Sequence, residues 1–289
     1  MRTLRTGLTL LIVLLLAPTV HGQASRTVTR TVDLASGGTV TLDTYKGRID
    51  VRTWNRNQAR MEVRIEGDEQ SRVDNTNIRI ESSGDRLDIE TDYDELKDNQ
   101  GLLGLFRLSS TDRPSTHYTL TVPRTTTLTV DTYSAATTVT DLKGTLRFDA
   151  YSAALTVERL TGTLRADTYS GDVDVTGLDG SLQGDTYSGT LRVDSLSGRV
   201  AFSTYSGSAT LGFAALTGDC RFDSFSGDVT VTLPASAGAV VETEEGALDS
   251  DLPLRIERIG DDRVRGTLGD GGPRLRFDTF SGTLSVRSR

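Results

Sequence analysis

Cysteine is nearly absent. Cys220 stands alone, so no disulfide can close within the chain. Histidine is almost as scarce, and one of the two, His21, falls in an apolar N-terminal leader. His117 is then the only imidazole left to serve a Ser-His-Asp triad, and one Cys with one His cannot make the usual zinc ligand sets. No glycine-rich phosphate loop precedes a helical pattern. Hydrophobic residues make up only 36 % of the 289, too few for the thick core of an ordinary globule this long, although a thin stacked repeat needs fewer. Long apolar runs are also missing, except for Leu8 to Leu16. That run follows Arg2 and Arg5 and ends at Pro18, with small residues at Gly22 and Ala24. It reads as an export signal, residues 1–22, with cleavage at Gly22 or at Ala24, and it is too short to span a membrane. No cysteine lies near the cleavage region to carry a lipid anchor, and no transmembrane span remains after signal removal. Cleavage takes away Arg2 and Arg5 and no acid, leaving 30 basic against 40 acidic residues, a net charge of −10. Such a chain has no electrostatic reason to bind nucleic acid.

What is abundant is a repeat. Tyr133, Tyr151, Tyr169, Tyr187 and Tyr205 follow one another at steps of 18 residues, Phe225 comes 20 later, and Phe280 follows a longer excursion. Tyr45 is an early copy, so six of the eight tyrosines occupy one repeat position. Each unit centres on Asp-Thr-Tyr-Ser-Gly and reads as two short strands and two turns. The glycine after serine suits a left-handed turn, with Ala135 and Ala153 as exceptions.

Alternation sorts the positions by face. One inward column is Leu146, Leu164, Leu182, Val200, Cys220 and Leu275; the next is Phe148, Ala166, Gly184, Phe202, Phe222 and Phe277. Cys220 therefore reads as a buried small hydrophobe. Outward, Arg147, Arg165, Arg221 and Arg276 share a column interrupted by Gln183 and Ala201. Asp43, Asp131, Asp149, Asp167, Asp185, Asp223 and Asp278 share another, interrupted by Ser203. Two topologies fit. In an all-β, right-handed parallel β-solenoid with 18-residue coils and two short strands per coil, like residues stack about 4.8 Å apart. In an antiparallel β-meander of repeated hairpins they lie about twice as far apart. The aspartate column favours the meander, because like charges at coil spacing repel. The aliphatic ladders and the long-range regularity favour the solenoid.

Six tandem units over residues 126–237 would make a stack roughly 29 Å long. Before them, 25–125 is an irregular strand-rich region. Its residues 92–117 read as a long loop carrying Leu102, Leu103, Leu105 and Phe106, a flap for the open end of the stack. After them, 238–289 departs from the repeat and returns to it at Phe277-Asp278-Thr279-Phe280-Ser281-Gly282.

Several stretches resemble a bacterial family of putative-adhesin, β-strand-repeat domains of unknown function. They are Asp43-Thr-Tyr-Lys-Gly47 with Val51 and Trp54, the Tyr118–Pro123 segment, the tandem Tyr-Ser-Gly turns, and Gly266-Thr-Leu-Gly269 before the final Ser281-Gly282. The resemblance implies a right-handed β-solenoid in the cell envelope or outside it, with no catalytic residues to carry over; no metal site and no cofactor are expected from the residues present. The expected function is that of a non-enzymatic exported protein, periplasmic, envelope-bound or extracellular, acting in adhesion or as a scaffold. Its expected partner is an envelope or extracellular protein or a glycan. The candidate interaction face is the outer strip of Tyr133, Tyr151, Tyr169, Tyr187 and Tyr205 beside Asp149, Asp167 and Asp185. The second reading is a polysaccharide-binding or polysaccharide-cleaving β-helix. Calcium at Asp172 and Asp174 lacks the Gly-Gly-x-Gly-x-Asp signature, and the threonines Thr132, Thr168, Thr186 and Thr204 alternate inward, away from any ice or mineral surface. His117 reads as a surface residue of a loop or edge strand.

Overall fold

The computed structural model describes residues 23–93, 113–258 and 263–289. The leader and the Leu102–Phe106 cluster lie outside them.

The N-terminal part comprises β1 (Ala24–Asp33), β2 (Thr39–Trp54), β3 (Gln58–Gly67), α1 (Gln70–Asp74), β4 (Asn77–Ser83), β5 (Arg86–Asp92) and β6 (Ser115–Pro123). Strand β2 makes a whole coil by itself. One of its flanks carries β5 and β6, both parallel; the other carries the first tandem coil. Antiparallel strands close this end: β4 on β5, β3 on β6, and β1 on β3.

The tandem coils are β7 (Thr127–Thr140), β8 (Lys143–Ala150), β9 (Leu155–Thr168), β10 (Val173–Thr186), β11 (Leu191–Thr204), β12 (Ala209–Leu216), β13 (Cys220–Ser224) and β14 (Val229–Leu233). Their pairing is parallel at the repeat period, with Val173 opposite both Leu155 and Leu191. That register makes the chain a parallel β-solenoid with 18-residue coils and excludes the antiparallel meander. Coil spacing puts Leu146, Leu164, Leu182, Val200, Cys220 and Leu275 in one fully buried column. In the neighbouring column the Phe202 ring lies over Gly184, where a Cβ would stand 3.2 Å from it, so one coil's large residue fills the space left by the next coil's small one. The register slips between Val193 and Ser197, and Phe213 takes the corner place held by leucine in earlier coils.

The C-terminal part is β15 (Ala239–Glu244), β16 (Ala247–Ser250), β17 (Arg255–Arg258), β18 (Arg263–Leu268), β19 (Arg274–Thr279) and β20 (Thr283–Ser288). The chain leaves β14, skips one coil position, builds β15 and β16, and returns to insert β19 and β20 in the gap. Antiparallel β18 and β17 extend this end beyond β15. Charged residues on β17, including Arg255 and Glu257, blunt the last edge against pairing with another chain.

The glycines of the Tyr-Ser-Gly turns correct one expectation. Left-handed backbone occurs at another corner, in Asp141, Arg159, Gly177 and Ser195, one per coil. In the tandem turns Gly171, Gly189, Gly207 and Gly227 are not left-handed. They are needed because the coil beneath is too close: a Cβ on Gly189 would lie 2.1 Å from the Gly171 carbonyl oxygen. A further glycine column, Gly144, Gly162, Gly180 and Gly198, has the same crowding, and its last three members also have positive φ.

This contrast is testable. Gly180→Ala would place a Cβ 1.9 Å from the Gly162 carbonyl oxygen at φ +144, and is expected to cost about 3 kcal/mol or more in chemical denaturation. Gly177→Ala, with its nearest atom at 3.7 Å and Arg159 and Ser195 as natural precedents, should cost about 1 kcal/mol or less. Equal losses would rule out inter-coil crowding as the cause.

Candidate functional site

The tandem coils bend at the repeated aromatic, and at Thr132, Thr186 and Thr204 a threonine one residue earlier holds the bend, with Ser224 in that role before Phe225. Thr186 Oγ1 accepts the Gly189 N–H at 2.9 Å, and Thr204 Oγ1 accepts that of Gly207 at 2.8 Å. These threonines face inward, as their alternation predicts, and Thr132, Thr168 and Thr204 are buried. Backbone hydrogen bonds between coils continue through the turn: Ser170 N–H reaches Tyr151 O at 3.0 Å, and Ser188 N–H reaches Tyr169 O at 3.1 Å.

The side chains at the bend must therefore stack at coil spacing. Eight rings run in one column, from Tyr45 through Tyr133, Tyr151, Tyr169, Tyr187, Tyr205 and Phe225 to Phe280. Centroids are 4.7–5.1 Å apart and planes within 8° of parallel. The five tandem tyrosines are 41–47 % exposed, a large aromatic surface to leave in water. Every interior ring has another ring on both faces, so it offers solvent its edge and hydroxyl. Arg113 covers the N-terminal end, with its guanidinium 4.1 Å from the Tyr45 centroid and 5.5 Å from that of Tyr93. Phe280 ends the other side at 67 % exposure.

The aspartate column runs two residues before the rings, in register from Asp43 to Asp278 and broken only by Ser203. Arginines two residues earlier answer its repulsion. Arg165 Nε lies 2.8 Å from Asp167, Arg221 Nε 2.7 Å from Asp223, and Arg276 Nε 2.9 Å from Asp278. Arg221 also crosses to Asp278 of the next coil at 3.1 Å. Where compensation is weaker, carboxylates hold protons more tightly. Burial, then Glu90, raises the pKa of Asp43; burial, then Asp43, raises that of Asp131; burial, then Asp167 and Asp131, raises that of Asp149.

Between the columns lies an open groove of about 1030 Å³. Asp149, Asp167 and Asp185 line one side, Tyr169, Tyr187 and Tyr205 the other, and Thr168, Thr186 and Thr204 lie between them. Asp223, Asp278, Glu244 and Glu245 continue the acidic lining. Tyr133 belongs to the ladder but lines a separate groove of about 360 Å³ with Tyr45, Tyr93, Asp43 and Asp131. Tyr151 lies in the ladder and lines neither. Sequence reasoning did not reach Arg113, Glu244 or Glu245, since none occupies a tandem-repeat position.

Other candidate chemistry is already engaged. His117 sits on β6 between β2 and β3, in neither a loop nor an edge strand, with Nε2 3.0 Å from Glu66 Oε2. Cys220 is buried, which pushes its thiol pKa up to about 11. Asp172 Oδ1 accepts the Thr190 N–H, and Asp174 faces Arg192. Among the described residues no three His, Cys, Asp or Glu side chains converge on a metal position, and no helix is long and apolar enough to cross a membrane.

The family model described as Toastrack DUF4097 matches residues 39–287. The chain belongs to that family. No curated protein matches it. A crystal structure described as a putative adhesin from Bacteroides fragilis is 13 % identical, covers 91 % of this chain and 97 % of its own, and superposes with a TM-score of 0.50. A protein described as a putative lipid binding protein from Parabacteroides distasonis is also 13 % identical over 91 % and 96 % of the two chains, with a TM-score of 0.45. A putative cell adhesion protein from Clostridium sporogenes is 12 % identical over 92 % and 100 %, at 0.25. At such identities the Bacteroides fragilis likeness is one of fold. In this member of the Toastrack family the outer face carries the eight-ring ladder.

Two predictions follow from the ladder and the carboxylates. Tyr169→Ala removes two stacking contacts and should cost about 1–3 kcal/mol in urea denaturation, while Tyr169→Phe should cost well under half of that; equal costs would show that the stack contributes nothing. A carboxylate whose folded pKa is raised stabilises the fold fully below its unfolded pKa and loses that contribution as pH rises through the folded value. Asp43→Asn should therefore raise stability at pH 7 by about 0.5 kcal/mol after solvent screening, and the gain should vanish below about pH 4. Thermal melts at both pH values check this.

Proposed function

We propose that this chain is a non-enzymatic solenoid exported to the cell envelope or beyond, where its groove face holds a partner in adhesion or as a scaffold. The observation that carries this reading is the exposed aromatic ladder running beside an acidic column broken only at Ser203. A structural core has no use for rings left nearly half in water. The name of one structural neighbour, a putative adhesin, agrees with it. So does the local chemistry: His117 faces Glu66 and Cys220 is buried, so neither is offered to the groove. The glycan reading draws less support, because sugars pack on open ring faces and here each interior ring is covered on both sides.

The test is genetic and biochemical. A deletion strain should lose attachment to surfaces or to neighbouring cells. Wild-type protein should restore it, and the Tyr169→Ala/Tyr187→Ala/Tyr205→Ala variant should not, although it is exported to the same fraction. Full restoration by that variant would remove the groove from the function, and recovery of the processed protein in the cytosol would overturn the export reading. On a glycan array the Tyr169→Ala/Tyr187→Ala variant should behave like wild type; selective loss of a bound glycan would revive the polysaccharide reading.

A further inference from the structure

The arginine column has a gap, and the gap is a pocket. Gln183 and Ala201 stand where other coils carry arginine, between Arg165 on one side and Arg221 and Arg276 on the other. The missing side chains leave a depression of about 260 Å³. Arg199, Arg221, Arg274 and Arg276 line it, with Asp219 as its one acid. In a protein of net charge −8, four guanidinium groups against one carboxylate is a local reversal of sign.

The four cations are not equivalent. Arg221 and Arg276 are committed to Asp223, Asp278 and Glu244. Arg199 and Arg274 form no ion pair among the described residues. Asp219 is the lining residue between them in the stack, and its Oδ1 is taken up by the Arg274 backbone N–H at 2.8 Å. Gly218 lets the Arg199 stem lie against the next coil, since a Cβ there would already be 3.2 Å from the Arg199 Cβ. Packing the stem lowers the entropy that a long side chain loses on gripping a ligand.

The geometry points to an anion site here: a compact oxyanion group, carboxylate, sulfate or phosphate, held by Arg199 and Arg274 beside the Gln183 amide. Guanidinium forks match planar or tetrahedral oxyanions with paired hydrogen bonds. The volume is below that of a drug-sized pocket, so the ligand is a small acid or a single acidic unit of a polymer. This site lies apart from the aromatic groove and does not depend on the adhesion reading.

The experiment titrates the whole protein at low salt with sulfate, phosphate and glucuronate, using glucose as the neutral control. It follows the Nε–Hε signals of the arginines by NMR. Saturable shifts at Arg199 and Arg274, absent with glucose and weakened about tenfold or more in Arg199→Gln/Arg274→Gln, are expected. The ranking among the three anions distinguishes an acidic sugar from a free inorganic ion, and loss on raising salt confirms the charge contribution. Three outcomes overturn the proposal: no shift with any anion, equal affinity in the double variant, or shifts of the same size at the distant Arg147 and Arg52. The wild-type NMR readout stands even if the variant misfolds.

Discussion

The backbone ladder between coils does not stop where the strands bend. Tyr151, Tyr169 and Tyr187 each donate their backbone N–H to the coil beneath, as do the serines that follow them, so turn stacks on turn at the same spacing as strand on strand. Once the turns are locked at that spacing, the outward side chains have no freedom of register. Rings must stack on rings, and carboxylates must stand over carboxylates. Glycine occupies Gly171, Gly189, Gly207 and Gly227, where the carbonyl of the coil beneath fills the place of a Cβ.

The ladder accounts for both the cost and the use of the outer face. Stacked aspartates repel, and the fold answers with Arg-x-Asp pairs inside each coil and the Arg221–Asp278 bridge between coils. The answer is incomplete. Asp43, Asp131 and Asp149 retain raised pKa values, and Asp185 follows Gln183 where other coils have arginine. Imperfect compensation leaves the ring-lined groove acidic. The same missing arginines open the depression that Arg199 and Arg274 line.

Both ends are finished by the same device. At one end β5 and β6 stack outside β2, which precedes them in sequence; at the other, β15 and β16 stack outside β19 and β20, which follow them. Each end coil thus lies out of sequence order, and antiparallel strands cover it. A parallel stack that ended in sequence order would expose a full row of unpaired backbone groups, and interleaving ties the last coils to segments on both sides. The Thr44–Thr116 and Thr91–Tyr118 hydroxyl contacts, buried beneath Tyr45, belong to this closure at the N-terminal end.

The amino-acid sequence alone determined the coil. An 18-residue period with strict alternation assigns Leu164, Val173 and Phe222 to the interior and Arg165, Asp167 and Tyr169 to the surface, because a strand turns successive side chains to opposite faces. The solenoid and the outer Arg-Asp-Tyr strip were legible on that ground. What tertiary structure decided is everything that depends on distance between coils or on segments without the period. Parallel pairing at one coil spacing excluded the meander that the charges favoured. Close approach, and not turn handedness, explained the Tyr-Ser-Gly glycines. Arg113, Glu244 and Glu245 reached the ladder and groove from outside the tandem units, and the gap at Gln183 and Ala201 became a pocket only when the coil of Arg274 and Arg276 was inserted beside that of Asp219 and Arg221. Local alternation reads one strand at a time, whereas these contacts join residues dozens of positions apart and exist only after the coils have stacked.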